Sequence, residues 1–134
     1  MQLICRFNKG DQLVPQRFEE GYTPATEFHL TVGQTYAVHA MALWESGLVT
    51  LLVDDTGRPG WQPVELFTVA DHRVPADWEF DMGEPTDMVK AIWGYSALIQ
   101  DPDHHDALSE LKPAALEIFW SEVQRRTADE PVSD

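Results

Sequence analysis

The sequence predicts an α+β protein in which a small antiparallel β-barrel is followed by C-terminal helices. Three observations support this fold class. Apolar and polar residues alternate with a period of two in short runs through about the first 80 residues. Glycine and proline residues separate these runs at close intervals, as in small antiparallel β folds. From residue 85 onward the apolar period changes to 3.6, which indicates helices.

The strongest local signal is a pair of strand-like runs, residues 36–44 and 48–53, that meet across a short polar turn. The first run alternates between two faces. The second run is apolar or β-branched throughout, which suits a strand covered on both sides. Gly47 lies between the two runs and allows the positive φ that a tight hairpin needs. We therefore place this hairpin at the centre of the barrel.

Shorter runs complete the predicted barrel, which covers about residues 2–80. Residues 9–27 hold scattered glycine and proline and are predicted to form a long loop with a short turn of helix. Pro63 cannot donate to a strand ladder, so its strand should begin away from a central position. The additional predicted strands are residues 2–8, 28–32, 61–69 and 78–80.

Two helices are predicted after the barrel, near residues 86–100 and 113–127. The second carries apolar residues at i, i+3, i+4 and i+7, and this stripe should dock on the barrel. Residues 1–127 are expected to form a single domain, and residues 128–134 a disordered tail because they have little to bury. The docking stripe consists of Leu116, Phe119, Trp120 and Val123.

The chain has the composition of an ordinary globular protein, with 43% apolar and 24% charged residues. Arg6 and Lys9 come too early for the apolar core of a signal peptide, and no apolar run approaches the roughly 18 residues of a membrane span. Cys5 is the single cysteine, which excludes an internal disulfide and fits a reducing compartment. We therefore expect a cytoplasmic protein with Cys5 buried in a strand.

The charge balance is strongly acidic, with 23 Asp and Glu against 9 Lys and Arg and a formal net charge of −14. Such a surface repels nucleic acid. Residues 71–134 carry 15 acidic and 5 basic side chains, against 8 and 4 in residues 1–70. A basic protein partner would be drawn to the second half, although acidity can also serve solubility alone.

Acidic residues between positions 77 and 106 form the candidate partner-binding surface, and Lys90 is the one lysine or arginine among them. Trp61, at the end of the turn 54–61, is a candidate anchor because buried tryptophans often dominate interfaces. The alternative interpretation is a solvated acidic face and tryptophans that pack in the core. The candidate partner-binding residues are Trp61, Asp77, Glu79, Asp81, Glu84, Asp87, Asp101, Asp103 and Asp106.

Two short motifs are similar to catalytic signatures, but neither has the context that its chemistry needs. Asp55-Thr56-Gly57 resembles the active-site loop of retroviral-type aspartic proteases, in which two carboxylates share a proton across a dimer. The residues on either side of it suit a β-turn better. Ser109 and Lys112 have the S-x-x-K spacing of penicillin-binding enzymes without the companion motifs. We therefore predict no catalytic residue.

His104, His105 and Asp106 form the one dense group of potential metal ligands in the sequence. Adjacent residues rarely point at one ion, and neither His-x-x-x-His nor His-x-His spacing occurs. No glycine-rich loop leads from a strand into a helix to cradle a phosphate. The sequence therefore predicts neither a metal site nor a bound cofactor.

A family resemblance is carried by the segments Tyr36–Ala40, Leu51–Asp55, Trp61–Phe67, Trp78–Phe80, Gly94-Tyr95 and Ile118-Phe119. Their order resembles that of small bacterial proteins with an SH3-like barrel and C-terminal helices. Some of these are similar to immunity proteins of polymorphic or secreted toxin systems. The resemblance runs loosely over residues 28–119 and includes no catalytic motif. It implies an SH3-like barrel and a binding protein that neutralises a toxin in its own cell.

The sequence leaves functions from different classes open. An immunity-type inhibitor would bind one basic toxin domain tightly through direct contact. A housekeeping interaction or regulatory module would bind its partner weakly or recognise a peptide. A small hydrolase, the least favoured reading, would need a pocket with convergent polar groups. The first is the function that we expect.

Overall fold

The structure of the protein is a computed structural model that describes residues 1–129. The strands are β1 (Gln2–Cys5), β2 (Thr35–Ala37), β3 (Ala40–Trp44), β4 (Gly47–Val53), β5 (Pro59–Pro63), β6 (Phe67–Asp71), β7 (Glu79–Met82) and β8 (Val89–Gly94). The helices are α1 (Ser96–Gln100), α2 (Pro102–Ser109) and α3 (Pro113–Asp129). Short 3-10 helices cover Gly10–Gln12, Pro15–Glu20 and Val64–Leu66.

The strands form two antiparallel sheets. The small sheet has the order β2-β1-β6, and the large sheet has the order β5-β4-β3-β8-β7. Together with the C-terminal helices, these sheets confirm the predicted α+β class and its antiparallel strands. They do not close into a barrel, because β5 and β7 remain the two edges of the large sheet. Pro63 accordingly lies on an edge strand, where its missing N–H costs no central ladder bond.

The predicted central hairpin is confirmed as β3 and β4. Trp44 pairs with Gly47 across the turn, and Gly47 has a φ of 136°. The first strand of this hairpin, predicted over residues 36–44, is split in two. The chain leaves the small sheet at Ala37 and enters the large sheet at Ala40. Between them, the backbone N–H of His39 donates to the carbonyl oxygen of Leu51 at 2.9 Å. This bond keeps the corner between the two sheets attached to β4.

The helix predicted near residues 86–100 is wrong for most of its length. Residues 89–94 form β8, between β3 and β7, and within that range only Ser96–Gln100 is α-helical. The same residues also alternate across a strand, with Ile92 and Trp93 on opposite faces of the sheet. Ladders to β3 on one side and to β7 on the other outweigh the local helical period, and a local pattern does not report the long-range pairing with β3.

The strand predicted over residues 28–32 is also wrong, because this segment is a loop. The nearest ladder contact is an isolated bridge between Lys9 and Glu27. Leu30 is nevertheless buried, so the alternation there reports the packing of a loop against the core. The first strand is shorter than predicted and ends at Cys5.

Two hydrophobic cores lie on opposite sides of β4. Leu52 packs in the first core with the small sheet, and Leu51 packs in the second core with the helices. Successive side chains of a strand point to opposite faces, so one strand serves both cores. Cys5 is fully buried in the first core, as predicted, and Phe119 of α3 is fully buried in the second.

The predicted C-terminal helix is confirmed as α3. Phe119 is buried, Leu116 and Val123 pack against the second core, and Trp120 stays more than one-third exposed beside Phe119. The helix includes residues 128 and 129, and residues 130–134 of the predicted tail lie outside the described residues. Within residues 1–129, no helix combines the length and apolar composition that crossing a bilayer requires.

A buried ion pair fastens the N-terminal loop to the large sheet and to the 3-10 helix Val64–Leu66. The guanidinium group of Arg17 is fully buried and donates to the Glu65 carboxylate through Nε at 3.0 Å and Nη2 at 2.7 Å. Nη2 also donates to the carbonyl oxygen of Leu48 in β4. A Cβ atom at Gly47 would lie 3.0 Å from Nη2. Glycine at this position therefore serves both the turn and the close approach of the arginine.

Candidate functional site

An open groove of about 490 Å³ lies between the β7–β8 hairpin and the helices α1 and α2. We call it the acidic groove, because Asp81, Asp87 and Asp106 all line it. These three were among the residues predicted to bind a partner. They come from β7, from the β7–β8 loop and from α2, so the fold brings together carboxylates that are up to 25 positions apart in the chain.

The strand register explains why one wall of the groove is both acidic and apolar. Asp81 lies opposite Ile92 in the β7–β8 ladder, so both side chains project from the same face of the sheet. Ile92 packs against the second core on the helical side. On the other face Phe80 packs on Trp93, with 5.1 Å between ring centroids. Alternation along β7 therefore directs the Asp81 carboxylate into the groove and the Phe80 ring away from it.

The helical wall depends on a close approach of α1 to the sheet. A Cβ atom at Gly94 would lie 2.8 Å from the Cβ atom of Ala40 and 3.2 Å from Cδ2 of Leu98. Glycine therefore lets the chain turn from β8 into α1 while staying against β3. Leu98 and Ile99 then line the groove together with Ile92 and give it an apolar floor.

Two methionines of the β7–β8 hairpin form the mouth of the groove. Met82 and Met88 line it and are 69% and 68% exposed, the largest exposed fractions among the large apolar side chains of the described residues. Methionine is unbranched and polarisable, so it adapts to ligands of different shape. The groove therefore combines a fixed floor with an adjustable rim.

The three carboxylates of the groove keep most of their capacity to accept hydrogen bonds. Asp87 accepts from the N–H of Glu84 at 2.8 Å, and Asp81 accepts from the N–H of Met82 at 2.9 Å. Asp106 lies 3.4 Å from Nδ1 of His105. Among the described residues, none of the three forms an ion pair with a lysine or arginine. A cationic ligand would therefore meet unneutralised carboxylates.

Lys90, the one lysine or arginine between residues 77 and 106, holds the β7–β8 loop in place beside the groove. Its Nζ donates to the carbonyl oxygen of Pro85 at 2.6 Å, and its own carbonyl oxygen accepts from the N–H of Gly83 at 3.0 Å. A Cβ atom at Gly83 would lie 2.1 Å from the carbonyl oxygen of Val89. The loop that carries Asp87 is thus tightly closed.

Several predicted partner-binding residues serve the fold instead of lining the groove. Asp77 forms ion pairs with Arg125 at 2.6 Å and Arg126 at 3.0 Å, which lower the pKa of its carboxyl group.

Glu79 accepts from the side chain of Gln100 at 2.8 Å. Asp101 caps α2 and accepts from the N–H of Asp103 at 3.0 Å. Glu84, next to Gly83, and Asp103, next to Pro102, are exposed and flank the groove.

Trp61, the candidate anchor at the end of the turn 54–61, does not lie on an exposed turn. It lies within β5, is partly buried against the second core, and contacts Trp44 and His105 with ring centroids 6.0 and 5.8 Å apart. Trp61 and Trp44 line a second concavity of about 260 Å³, which we call the aromatic cavity. Its wall includes Leu108 and Ser109 at the end of α2.

The residues of the protease-like motif stabilise a loop. The Asp55 carboxylate accepts from the hydroxyl groups of Tyr36 and Thr31, both at 2.6 Å, and these bonds lower its pKa. The N–H of Asp55 donates to the carbonyl oxygen of His29 at 2.8 Å. This network ties the β4–β5 turn to the loop before β2.

The adjacent histidines of the potential metal cluster lie in different environments. His104 is buried, and its Nε2 atom shares a hydrogen bond of 2.7 Å with the hydroxyl group of Tyr95. His105 lines the acidic groove. No group of three potential metal ligands converges within the described residues.

The apolar floor of the groove was not recognised in the sequence as part of a site. Ile92 and Ile99 both fall within the single helix predicted near residues 86–100, whereas the structure divides them between β8 and α1. The sequence signal that could have indicated this floor was the density of carboxylates around an otherwise apolar segment.

Comparisons of this chain with protein-family models, with curated proteins and with solved structures find no match.

Proposed function

We propose that this protein neutralises a basic toxin domain by direct contact, in the manner of an immunity protein, and that the acidic groove is where it holds that partner. The supporting observation is the arrangement of Asp81, Asp87 and Asp106 around an apolar floor. A ligand that satisfies both features carries lysine or arginine beside aliphatic surface. Such surfaces are characteristic of basic protein domains.

The chemistry of the groove fits such side chains in two ways. Carboxylates that have no lysine or arginine partner form charge-assisted hydrogen bonds with an incoming cation. The aliphatic stems of lysine and arginine bury well against apolar surface while their charged ends stay near the rim. Ile92, Leu98 and Ile99 provide that apolar surface. One bound side chain could therefore use the floor and the rim together.

The overall charge adds a long-range contribution. A net charge of −14 attracts a basic domain before contact and raises the rate of encounter. Contacts in the groove would then determine how long the complex lasts. This division between encounter and retention suits an inhibitor that must capture its toxin quickly and hold it.

A housekeeping interaction module is the second candidate, and the exposed methionines favour it. Methionine-rich rims occur on surfaces that bind several partners. Such a module would bind basic segments weakly and would not protect a cell from a toxin. The two candidates share the groove and differ in affinity and in biological effect.

The experiment starts from the reading frame beside the gene for this protein. Its C-terminal domain is expressed under an inducible promoter, with and without this protein, and growth is recorded. Binding of the two purified proteins is then measured by calorimetry. We expect toxicity that this protein relieves and tight 1:1 binding; a neighbouring product that is harmless, or that does not bind, contradicts the proposal.

The groove is tested with matched charge variants. The triple substitution Asp81→Asn, Asp87→Asn and Asp106→Asn should weaken binding and protection. The control replaces Asp11, Glu19 and Glu27 by their amides, which makes the same change in net charge at exposed positions in the N-terminal loop. If both triple variants protect equally well, the groove is not the binding surface.

A further inference from the structure

The aromatic cavity lies beside the acidic groove, along α2. Pro102, His105 and Asp106 of this helix line the groove, and Leu108 and Ser109 line the cavity. Asp106 and Ser109 are three residues apart, which is about 5 Å along a helix axis. The ring of His105 also packs on Trp61 in the cavity wall. The two concavities are therefore neighbours on one surface.

The lining of the cavity differs in chemistry from that of the groove. It includes no lysine, arginine, aspartate or glutamate, and its one side-chain hydroxyl, that of Ser109, donates to the carbonyl oxygen of His105 at 3.1 Å. The indole rings of Trp44 and Trp61 form one wall, with Leu108 and Leu111 nearby. A cavity of this kind accepts uncharged apolar groups and disfavours ions.

The two tryptophans of the cavity wall each carry an indole N–H group without an acceptor in residues 1–129. The Nε1 atoms of Trp44 and Trp61 are buried and form no hydrogen bond within the described residues. Buried indole N–H groups usually find a partner, because leaving one unpaired is unfavourable. These two N–H groups have no accessible surface, so a carbonyl oxygen of a ligand reaches them only when the indole rings turn as the ligand enters the cavity.

The backbone at Leu111 supports the same interpretation. Leu111 has a φ of 57°, and it is the one residue other than glycine with a positive φ among the described residues. It ends α2 in a motif where the N–H of Lys112 donates to the carbonyl oxygen of Ala107 at 2.9 Å. Glycine is the usual residue there, since a side chain in this conformation is strained. The leucine side chain instead contributes to the cavity wall.

We infer that the aromatic cavity receives an uncharged aromatic or branched aliphatic side chain of the same partner whose basic residues enter the acidic groove. This inference rests on the proposed function and adds a second anchor to it. The anchor residue stands a few residues from the basic one, because the two concavities are neighbours along α2. The groove selects for charge, and the cavity selects for shape.

The first test observes the indole N–H groups directly. The five tryptophans give five indole signals in a ¹H–¹⁵N spectrum, which are assigned from single Trp→Phe variants. The probe is N-acetyl-phenylalaninamide, which is neutral and aromatic, and N-acetyl-lysinamide is its charged control. We expect the neutral probe to shift the signals of Trp44 and Trp61 and to leave Trp120 unchanged. No shift, or equal shifts of all signals, overturns the inference.

The second test uses two capped peptides of lysine and serine that differ only in one residue, phenylalanine or alanine, placed about three residues from a lysine. We expect the phenylalanine peptide to bind the protein about tenfold more tightly, as for a buried anchor residue. Ser109→Tyr, at an exposed position in the cavity wall, should remove this difference. Ser121→Tyr, on exposed α3 surface, is the matched control and should preserve it.

A further variant separates binding from stability. Leu111→Gly removes the backbone strain together with the side chain, so it should unfold at the same or a higher temperature and still lose the preference for phenylalanine. Equal binding of the two peptides to the unaltered protein overturns the inference. If that equal binding still weakens with salt and with the triple groove variant, the proposed function stands. If neither peptide binds, the proposed function fails as well.

Discussion

The hydroxyl group of Tyr95 lies 2.7 Å from Nε2 of His104, and both side chains are almost completely buried. Tyr95 immediately follows β8, and His104 lies in α2, so this hydrogen bond joins the end of the large sheet to the helix beside the acidic groove. Burial raises the pKa of Tyr95 and lowers that of His104, so both groups stay neutral near pH 7. A neutral, directional contact thus helps to position α2.

Replacing Tyr95 by phenylalanine should lower the free energy of unfolding by about 1–3 kcal/mol, because it leaves Nε2 of His104 buried without its partner. Urea denaturation followed by tryptophan fluorescence measures this loss. Tyr22→Phe is the matched control, since the hydroxyl group of Tyr22 forms no hydrogen bond within residues 1–129. Equal effects of the two substitutions would show that the Tyr95 contact contributes little.

Stability should fall as the pH decreases from about 6.5 to about 4. Burial, with a smaller effect from the positive charge of Arg126, lowers the pKa of His39 from 6.5 to about 4. The unfolded chain binds the proton more readily, so protonation favours unfolding in this interval, by at most about 3 kcal/mol. Thermal melts across this pH range measure the effect. His39→Gln should flatten the dependence, and an unchanged slope in this variant would contradict the assignment.

Removing the carboxylate of Glu65 should destabilise the protein more than removing an exposed one. Glu65→Ala leaves the fully buried guanidinium group of Arg17 without its counter-charge, which costs about 3 kcal/mol in comparable buried pairs. Glu117→Ala, on the exposed surface of α3, provides the comparison. Chemical denaturation of both variants decides the point, and similar midpoints would show that the ion pair is not essential to the loop.

Asp55→Ala should lower the melting temperature at neutral pH, because Tyr36 and Thr31 lose their shared acceptor. These bonds lower the pKa of Asp55 from its ordinary value of 3.8. The stabilisation is therefore complete above that value and is lost as the pH falls through the lowered pKa. The difference from the unaltered protein should shrink in acid. A hydrolytic activity that disappears in the folded variant would overturn the structural role.

The carboxylates of the groove should control the rate of association with a basic partner. In stopped-flow measurements across a salt series, the triple groove variant with asparagine at positions 81, 87 and 106 should associate several-fold more slowly and show a weaker salt dependence. Asp77→Asn is the control, since Arg125 and Arg126 already neutralise this charge. It should cost less than about 1 kcal/mol of stability and leave association nearly unchanged. A salt-insensitive rate in the unaltered protein would show that its acidity serves solubility.

Local patterns were sufficient for two elements: the hairpin of strands that are neighbours in the chain, and the helix whose apolar stripe repeats over several turns. The β3–β4 hairpin pairs neighbouring runs across a turn that ends in Gly47, and the glycine has the positive φ that such a turn requires. Helix α3 carries its apolar stripe over several turns, so its period is unambiguous. The α+β class follows from these two elements and from the turns between them.

The tertiary structure decided the elements that depend on distant partners. Residues 89–94 fit a helical stripe or a strand equally well by local period. Pairing with the distant strand β3, beside the neighbouring strand β7, makes them a strand. The corner at His39 likewise exists because β2 pairs with β1 while β3 pairs with β4 and β8. Local alternation says nothing about which sheet a residue joins.

For the candidate site, the sequence by itself determined the number of carboxylates and the stretch of chain that holds them. Only the tertiary structure decided which of them line one groove. Asp77 is neutralised by Arg125, which is 48 positions away, whereas Asp81 and Asp106 line the same groove. The physical reason is that the availability of a charge depends on its neighbours in space, and these are set by the packing of strands and helices rather than by sequence order.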